Sequence, residues 1–174
     1  TSGSLTRKDG AACGKSDVLR VVTKRSDFRD FELSLALLNK GLGETNRTPA
    51  VAWDGVHVFV RYQSQFHLYS VTLNRRDDTI VIKKKIPGGP SNDGTYFSLT
   101  PDTPYKTPYN EWQRFRVRVA DQPDGSVAID LYAEGEKLLS AVDDGAKGGK
   151  PIKKAGKVGI RGDNCDFELD DFSV

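Results

Sequence analysis

The chain contains no methionine, two cysteines and two histidines, and its formal net charge is only +2. No apolar run approaches the ~20 residues that cross a bilayer as a helix, so membrane insertion is not expected. The two histidines and two distant cysteines do not supply a zinc ligand set. With 26 basic against 24 acidic residues, a general nucleic-acid binder, which is usually strongly basic, is not expected either.

The 174 residues, 37% of them hydrophobic, fit one domain spanning residues 1–174. The chain starts TSGSL without a signal peptide, and we expect it to be processed or trimmed. Cys13 and Cys165 lie near opposite ends, where the first and last strands of a sandwich often pair. A disulfide between them would stabilise the fold by roughly 4–5 kcal/mol in the chain-entropy model. It would imply a secreted, extracellular protein; the alternative is two unrelated thiols.

Alternating polar and apolar residues dominate the chain, and helical periodicity is scarce. Apolar residues recur at every second position in residues 31–37, 56–62, 115–119 and 127–131. Turn-forming pairs separate these runs, and Asp124-Gly125 predicts a tight hairpin. About ten short strands, each with one apolar face, predict an all-β antiparallel β-sandwich of the jelly-roll type.

The last third of the chain carries a resemblance to a known superfamily. The segments NEWQRFRVRV (110–119), DGSVAIDLYAEGEKL (124–138) and GKVGIRGDNCDFELDDFSV (156–174) resemble the final strands of concanavalin A-like jelly rolls, which include laminin-G-like modules and the lectin/glucanase superfamily. The signature positions are Trp112, Tyr132, Gly135, Gly156, Gly159, Arg161 and Asp171. Because this superfamily includes lectins, carbohydrate-binding modules, hydrolases and lyases, the resemblance implies a fold and does not select a function.

Residues 53–85 are predicted to form three strands that present an unusual outward face. That face carries His57, Phe59, Arg61, Gln63, Gln65, His67, Tyr69, Lys83 and Lys85. Aromatic rings stack on sugar rings, amides and imidazoles hydrogen-bond hydroxyls, and an arginine can grip a carboxylate with two parallel bonds. The alternative is an ordinary solvated sheet face with cross-strand charge pairs.

This face predicts a site for a polysaccharide or oligosaccharide, neutral or acidic. The expected contact residues are Trp53, Phe59, Arg61, Gln63, His67 and Tyr69, with added positive charge from Arg76, Lys83 and Lys85. The leading interpretation is a secreted carbohydrate-binding protein that requires no cofactor.

A second interpretation is a small polysaccharide lyase that cleaves a uronate polymer by β-elimination. Gln65-Phe66-His67 resembles the Gln-x-His strand motif of alginate-lyase jelly rolls. That resemblance implies that Arg61 and Gln65 bind the carboxylate, while His67 and either Tyr69 or Tyr96 transfer protons. The two other motifs of those lyases are absent here.

Two further interpretations are weaker in the sequence. Hydrolysis needs a close pair of carboxylates, but the Glu-x-Asp-x-x-Glu strand of jelly-roll glucanases is missing. A protein-interaction module would instead use the proline-rich segment 86–109, which is predicted to be an ordered surface excursion.

Acidic residues crowd the end of the chain. Carboxylate and amide oxygens are the ligands that Ca²⁺ prefers, so a structural calcium ion is one interpretation. The alternative is an acidic edge that discourages aggregation between sheets. The predicted ligands are Asp163, Asp166, Asp170 and Asp171, and Asn164 lies in the same stretch.

Overall fold

The computed structural model describes residues 4–8 and 11–174, with the side chains of residue 6 and of residues 18–174. The strands are β1 (Ser4–Lys8), β2 (Ala11–Val22), β3 (Phe31–Leu42), β4 (Gly55–Ser64), β5 (His67–Arg75), β6 (Thr79–Ile80), β7 (Ile82–Pro87), β8 (Gly94–Ser98), β9 (Thr103–Pro104), β10 (Trp112–Asp121), β11 (Val127–Ala133), β12 (Glu136–Asp143) and β13 (Lys157–Ser173). No helix occurs in this described part, and none of its segments is a helix that could cross a bilayer. The all-β prediction is confirmed.

One continuous antiparallel sheet contains most of these strands. Its order is β12-β11-β10-β3-β13-β4-β5-β7-β8, with β2 paired to β13 and β1 paired to β2. The short strands β6 and β9 form a separate two-stranded ribbon. The long sheet curls over so that its two halves enclose a common core, which gives the predicted antiparallel sandwich.

Strand β13 belongs to both halves because it bends at Asn164. Its first part pairs with β4 and its second part with β3. Asn164 has a left-handed φ of 44° at the change of partner, a conformation that asparagine tolerates better than most residues. Its side-chain amide donates to the carbonyl of Thr48 at 3.0 Å and to Asp54 Oδ2 at 3.1 Å, which fixes the bend.

The interior is filled from both halves of the sheet. Leu33 and Leu37 of β3 meet Val58 of β4 and Val71 of β5 in one cluster, and all four are fully buried. Burial of one such side chain stabilises the fold by about 1.5–3 kcal/mol. Because these residues fix which face of each strand is dry, they also fix which side chains of β4, β5 and β7 face outward.

Strand β4 contains a bulge at Arg61 that reverses its alternation. Phe59 pairs with Gly159 and Tyr62 with Lys157, so β4 has one residue more than β13 over this stretch. Arg61 has a φ of 46° and turns inward. A bulge of this kind moves every later side chain to the opposite face.

The two cysteines lie on paired strands. In the backbone register of β2 and β13, Cys13 lies opposite Glu168 and Cys165 lies opposite Ser16. Cys165 is buried, and its thiol is 3.3 Å from the carbonyl oxygen of Gly55. The side chain of Cys13 lies outside the described residues, so the disulfide stays a prediction.

Candidate functional site

A groove of about 390 Å³ opens on the outer face of β4, β5, β7 and β8 and the first part of β13. Four cationic side chains and one carboxylate lie along it, together with three aromatic rings. Its lining residues are Trp53, His57, Phe59, Ser70, Thr72, Arg75, Val81, Lys83, Lys85, Pro90, Ser91, Asn92, Tyr96, Arg161 and Asp163.

The strand register brings the floor of this groove together. His57 of β4 lies opposite Thr72 of β5 on one side and Arg161 of β13 on the other. One step along, Phe59 lies opposite Ser70, which in turn lies opposite Lys83 of β7. Directly paired residues point to the same face of a sheet, so these side chains form two rows across the groove.

His57 is held at both ring nitrogens. Nε2 is 3.1 Å from the carbonyl oxygen of Trp53, and Nδ1 is 3.2 Å from Thr72 Oγ1. Because a carbonyl oxygen only accepts, Nε2 carries the hydrogen and Nδ1 accepts from the threonine hydroxyl. Burial lowers the pKa of His57 to about 4, although the nearby Asp163 acts in the opposite direction. The neutral imidazole therefore anchors the backbone beside the exposed Trp53 ring.

Arg161 and Asp163 form an ion pair at the groove wall. Arg161 Nη2 donates to Asp163 Oδ1 at 2.9 Å, and Nε is 2.6 Å from Oδ2. Burial acts to lower the pKa of Arg161, but the interactions with Asp163 and Tyr96 outweigh it and the pKa is raised. Burial also raises the pKa of Tyr96, so its phenol is protonated at neutral pH.

Lys83 and Lys85 both line the groove, as the alternation of β7 predicts. Burial lowers the pKa of each ammonium group. Between them, Lys84 points into the interior and forms an ion pair of 2.9 Å with Asp143, both side chains being fully buried.

Arg61 does not face the groove, so the prediction that it contacts a ligand is wrong. Its side chain is fully buried. Nη1 donates to Asp121 Oδ1 at 2.7 Å and to the carbonyl of Ile152 at 2.9 Å, and Nη2 donates to Asp30 at 3.1 Å. The bulge at Arg61 is the physical reason, because it turns this residue from the outward to the inward face.

The placement of Tyr69 on the ligand-facing side is also wrong. Its ring belongs to the core, its hydroxyl donates to Asp143 Oδ2 at 2.5 Å, and it accepts from the backbone N–H of Ile152 at 2.8 Å. On β5 the outward residues are Ser70 and Thr72. Across the two-residue turn at 65–66, Ser64 pairs with His67 and Val60 with Tyr69. Even positions of β4 therefore share a face with odd positions of β5, and a period of two continued straight through the turn assigns Tyr69 to the wrong face.

The other predicted contacts are scattered. Gln63 donates to the carbonyl of Ala155 at 2.9 Å, and Arg76 donates to Asp54 at 3.1 Å, so both hold neighbouring loops. Gln65 accepts from Arg20 at 2.9 Å. His67 is half-buried and is not among the groove residues. The lyase set of Arg61, Gln65, His67 and Tyr69 is therefore not assembled.

The predicted calcium ligands do not come together either. Asp163 is paired with Arg161, while Asp166, Asp170 and Asp171 are exposed at later positions of β13. Across the described residues, no group of three or more histidine, cysteine or acidic side chains is arranged to hold a metal ion.

Comparison with solved structures finds the same architecture in proteins of remote sequence. The endo-β-1,4-glucuronan lyase of the fungus Trichoderma reesei superposes with a TM-score of 0.59 at 6% identity, over 99% of this chain and 86% of that chain. A Bacillus subtilis protein of unknown function with a galectin-like fold gives 0.59 at 13% identity, over 98% and 84%. The laminarinase catalytic domain of Thermotoga maritima gives 0.51 at 9% identity, over 97% and 70%.

The fold is that of the concanavalin A-like sandwiches. The resemblance of the last third of the chain therefore indicated the correct fold. No protein-family profile matches the chain, and no curated protein matches it. At these low identities the structural likeness establishes the fold alone.

Sequence reasoning missed several groove residues of this concanavalin A-like sandwich. Ser70, Thr72, Arg75 and Asn92 line the groove without having been predicted. Arg161 was noted only as a signature position of the superfamily, and Asp163 only as a calcium ligand. The alternation of Arg161 and Asp163 across Gly162 was the available signal, because it places both side chains on one face of a strand.

Proposed function

We propose that this protein binds a polysaccharide chain along the groove. The observation that carries the proposal is the combination of an open groove with three aromatic rings, hydroxyl groups and cations on its walls. Trp53 is 56% exposed at the rim, where its ring is available for stacking. The extracellular location expected from the sequence is part of this proposal.

The chemistry of the groove suits sugars because apolar and polar groups alternate over short distances. Rings pack on the carbon-bound hydrogens of a pyranose, while hydroxyl and charged side chains hydrogen-bond its substituents. Two of the similar folds belong to a glucuronan lyase and a laminarinase, which supports a glycan ligand by analogy of fold.

Binding is favoured over cleavage by the state of the groove residues. A β-elimination needs a group that can remove a proton. Both nitrogens of His57 are occupied, and the pKa of Tyr96 is raised by burial, so neither is prepared to act as a base at neutral pH. The proposal is therefore a carbohydrate-binding protein.

A glycan array followed by titration calorimetry tests this function. Trp53→Ala should weaken binding of the best glycan about tenfold, which corresponds to about 1.4 kcal/mol. Trp112→Ala is the matched control, because Trp112 is 43% exposed but does not line the groove; it should leave affinity unchanged.

The same samples are monitored for ultraviolet absorbance of an unsaturated sugar product. Absorbance that grows with time would replace the binding proposal by the lyase interpretation. Failure to bind any glycan, or equal loss in the two tryptophan variants, would contradict the proposed use of the groove.

A further inference from the structure

Lys85 occupies an unusual position in the groove. It lies on β7 between Leu68 of β5 and Tyr96 of β8, and it is only 3% exposed. Its ammonium nitrogen is 5.0 Å from the ring centroid of Tyr96 and 5.7 Å from that of Phe66. None of the described carboxylates lies within ion-pair distance of it.

The arginines of the groove are neutralised, in contrast to Lys85. Arg161 is paired with Asp163, and Arg75 lies at 3.2 Å from Asp102 and also contacts Asp77. The guanidinium groups are thus already held by carboxylates of the chain itself. The groove retains positive charge at the ammonium groups of its lysines.

A largely buried cation without a carboxylate partner is costly unless other groups compensate it. Two aromatic rings supply part of that compensation through cation–π attraction. The uncompensated part of this cost lowers the pKa of Lys85, and burial is the largest cause. The charges of Arg161 and Arg20 act in the same direction, whereas the charge of Asp93 raises the pKa. An anion in the groove would offset this cost.

We propose that Lys85 is the charge receptor of the groove and that the ligand carries an anionic group, a carboxylate or a sulfate, on a sugar ring. This inference rests on the proposed carbohydrate-binding function and names its ligand class. An ammonium group acts as a point charge and does not require the planar, two-oxygen geometry that a guanidinium favours. A carboxylate and a sulfate can therefore both pair with Lys85, and the experiment distinguishes them.

Gly94 provides a way to move Lys85 without changing any charge. A Cβ at position 94 would lie 2.3 Å from Lys85 Cε and 3.2 Å from the carbonyl oxygen of Ile86. The lysine chain is the more flexible of the two neighbours, so it would move. Gly94→Ala should therefore displace the ammonium group while the net charge of the protein stays the same.

Titration calorimetry with three probes of matched length tests the inference: uronate oligosaccharides, the same oligosaccharides with their carboxyl groups reduced to alcohols, and sulfated oligosaccharides. The wild-type protein should bind at least one anionic probe at least tenfold more tightly than the reduced probe. Lys85→Met should abolish that preference, because it should weaken binding of the anionic probe far more than binding of the reduced probe. Gly94→Ala should weaken the anionic probe in the same direction.

Lys106→Met is the control. The substitution removes the same charge, but Lys106 is exposed and does not line the groove. It should retain the preference.

Affinity of the wild type for the anionic probe should also fall as the pH rises through the pKa of Lys85. Burial lowers the pKa of Lys83 in the same groove as well, so only the part of this pH dependence that Lys85→Met removes is assigned to Lys85.

The outcomes separate the two proposals. Equal affinity for anionic and reduced probes, or equal loss of preference in Lys85→Met and Lys106→Met, overturns the role of Lys85 while the glycan-binding function stands. Absence of binding to all three probes overturns both.

Discussion

At the scale of single residues, His57 illustrates how burial decides a role that residue type suggests. A histidine beside a candidate sugar site invites a role in proton transfer. Here the residue is 8% exposed, and both ring nitrogens are engaged by Trp53 and Thr72. The neutral imidazole of His57 holds the backbone at Trp53 in place. This role has a consequence for the stability of the fold.

We expect the free energy of unfolding to fall as the pH is lowered from about 6.5 to about 4. The folded-state pKa of His57 lies at about 4, below the ordinary value of 6.5, so the unfolded chain binds the proton first. The stability is fully present above pH 6.5, and His57 alone accounts for a loss of about 3 kcal/mol by pH 4. Urea unfolding of the wild type and of His57→Gln across this range measures it.

The variant should show the shallower pH dependence, because its amide does not titrate. His67→Gln serves as the control, since His67 is half-buried and its pKa is lowered in the same direction by burial and by Lys84. If His67→Gln flattens the pH dependence as much as His57→Gln does, the assignment to His57 is wrong.

Residue types in the sequence predicted part of the groove. Trp53, Phe59, Lys83 and Lys85 were predicted as ligand contacts, and all four line the groove. Arg61 was expected there for its charge, but no sequence pattern reveals that an arginine will be fully buried against Asp121 and backbone carbonyls. That arrangement joins residues 31 to 91 positions apart in the sequence.

At the scale of elements, the bulge of β4 decides which residues reach the groove. It rests against Gly156, just before β13. A Cβ at Gly156 would lie 2.6 Å from the carbonyl carbon of Arg61 and 2.8 Å from the backbone nitrogen of Tyr62. Because those atoms are backbone, they give way less readily than a side chain.

Gly156→Ala should therefore destabilise the fold by about 1–3 kcal/mol, as overpacking in a tight site does. Gly41→Ala is the matched control, since a Cβ at Gly41 meets nothing within 4 Å; it should change stability little. The free energy of unfolding in urea is the measurement. Equal stability of the two variants would show that β4 does not depend on this close contact.

The same bulge explains where sequence reasoning failed at this scale. Alternation correctly predicts that β4 and β5 are strands, but a period of two carried through Arg61 assigns the later residues to the wrong face. The bulge depends on a glycine almost a hundred positions away. Nothing near Arg61 in the sequence marks it.

At the scale of the whole molecule, the fold could be predicted and the site only in part. Alternating runs, turn pairs and the concanavalin A-like resemblance of residues 110–174 sufficed for an all-β sandwich. The groove needed more, because it forms where β4, β5, β7, β8 and the first part of β13 lie side by side. Strand order cannot be obtained from the alternation of single strands.

The most direct test of glycan binding in this groove is an NMR titration of labelled protein with the best glycan of the array. Binding in the groove predicts amide shift changes concentrated on β4, β5, β7, β8 and residues 157–163. Changes concentrated instead around Trp112 and Tyr132 on the other half of the sheet would contradict it.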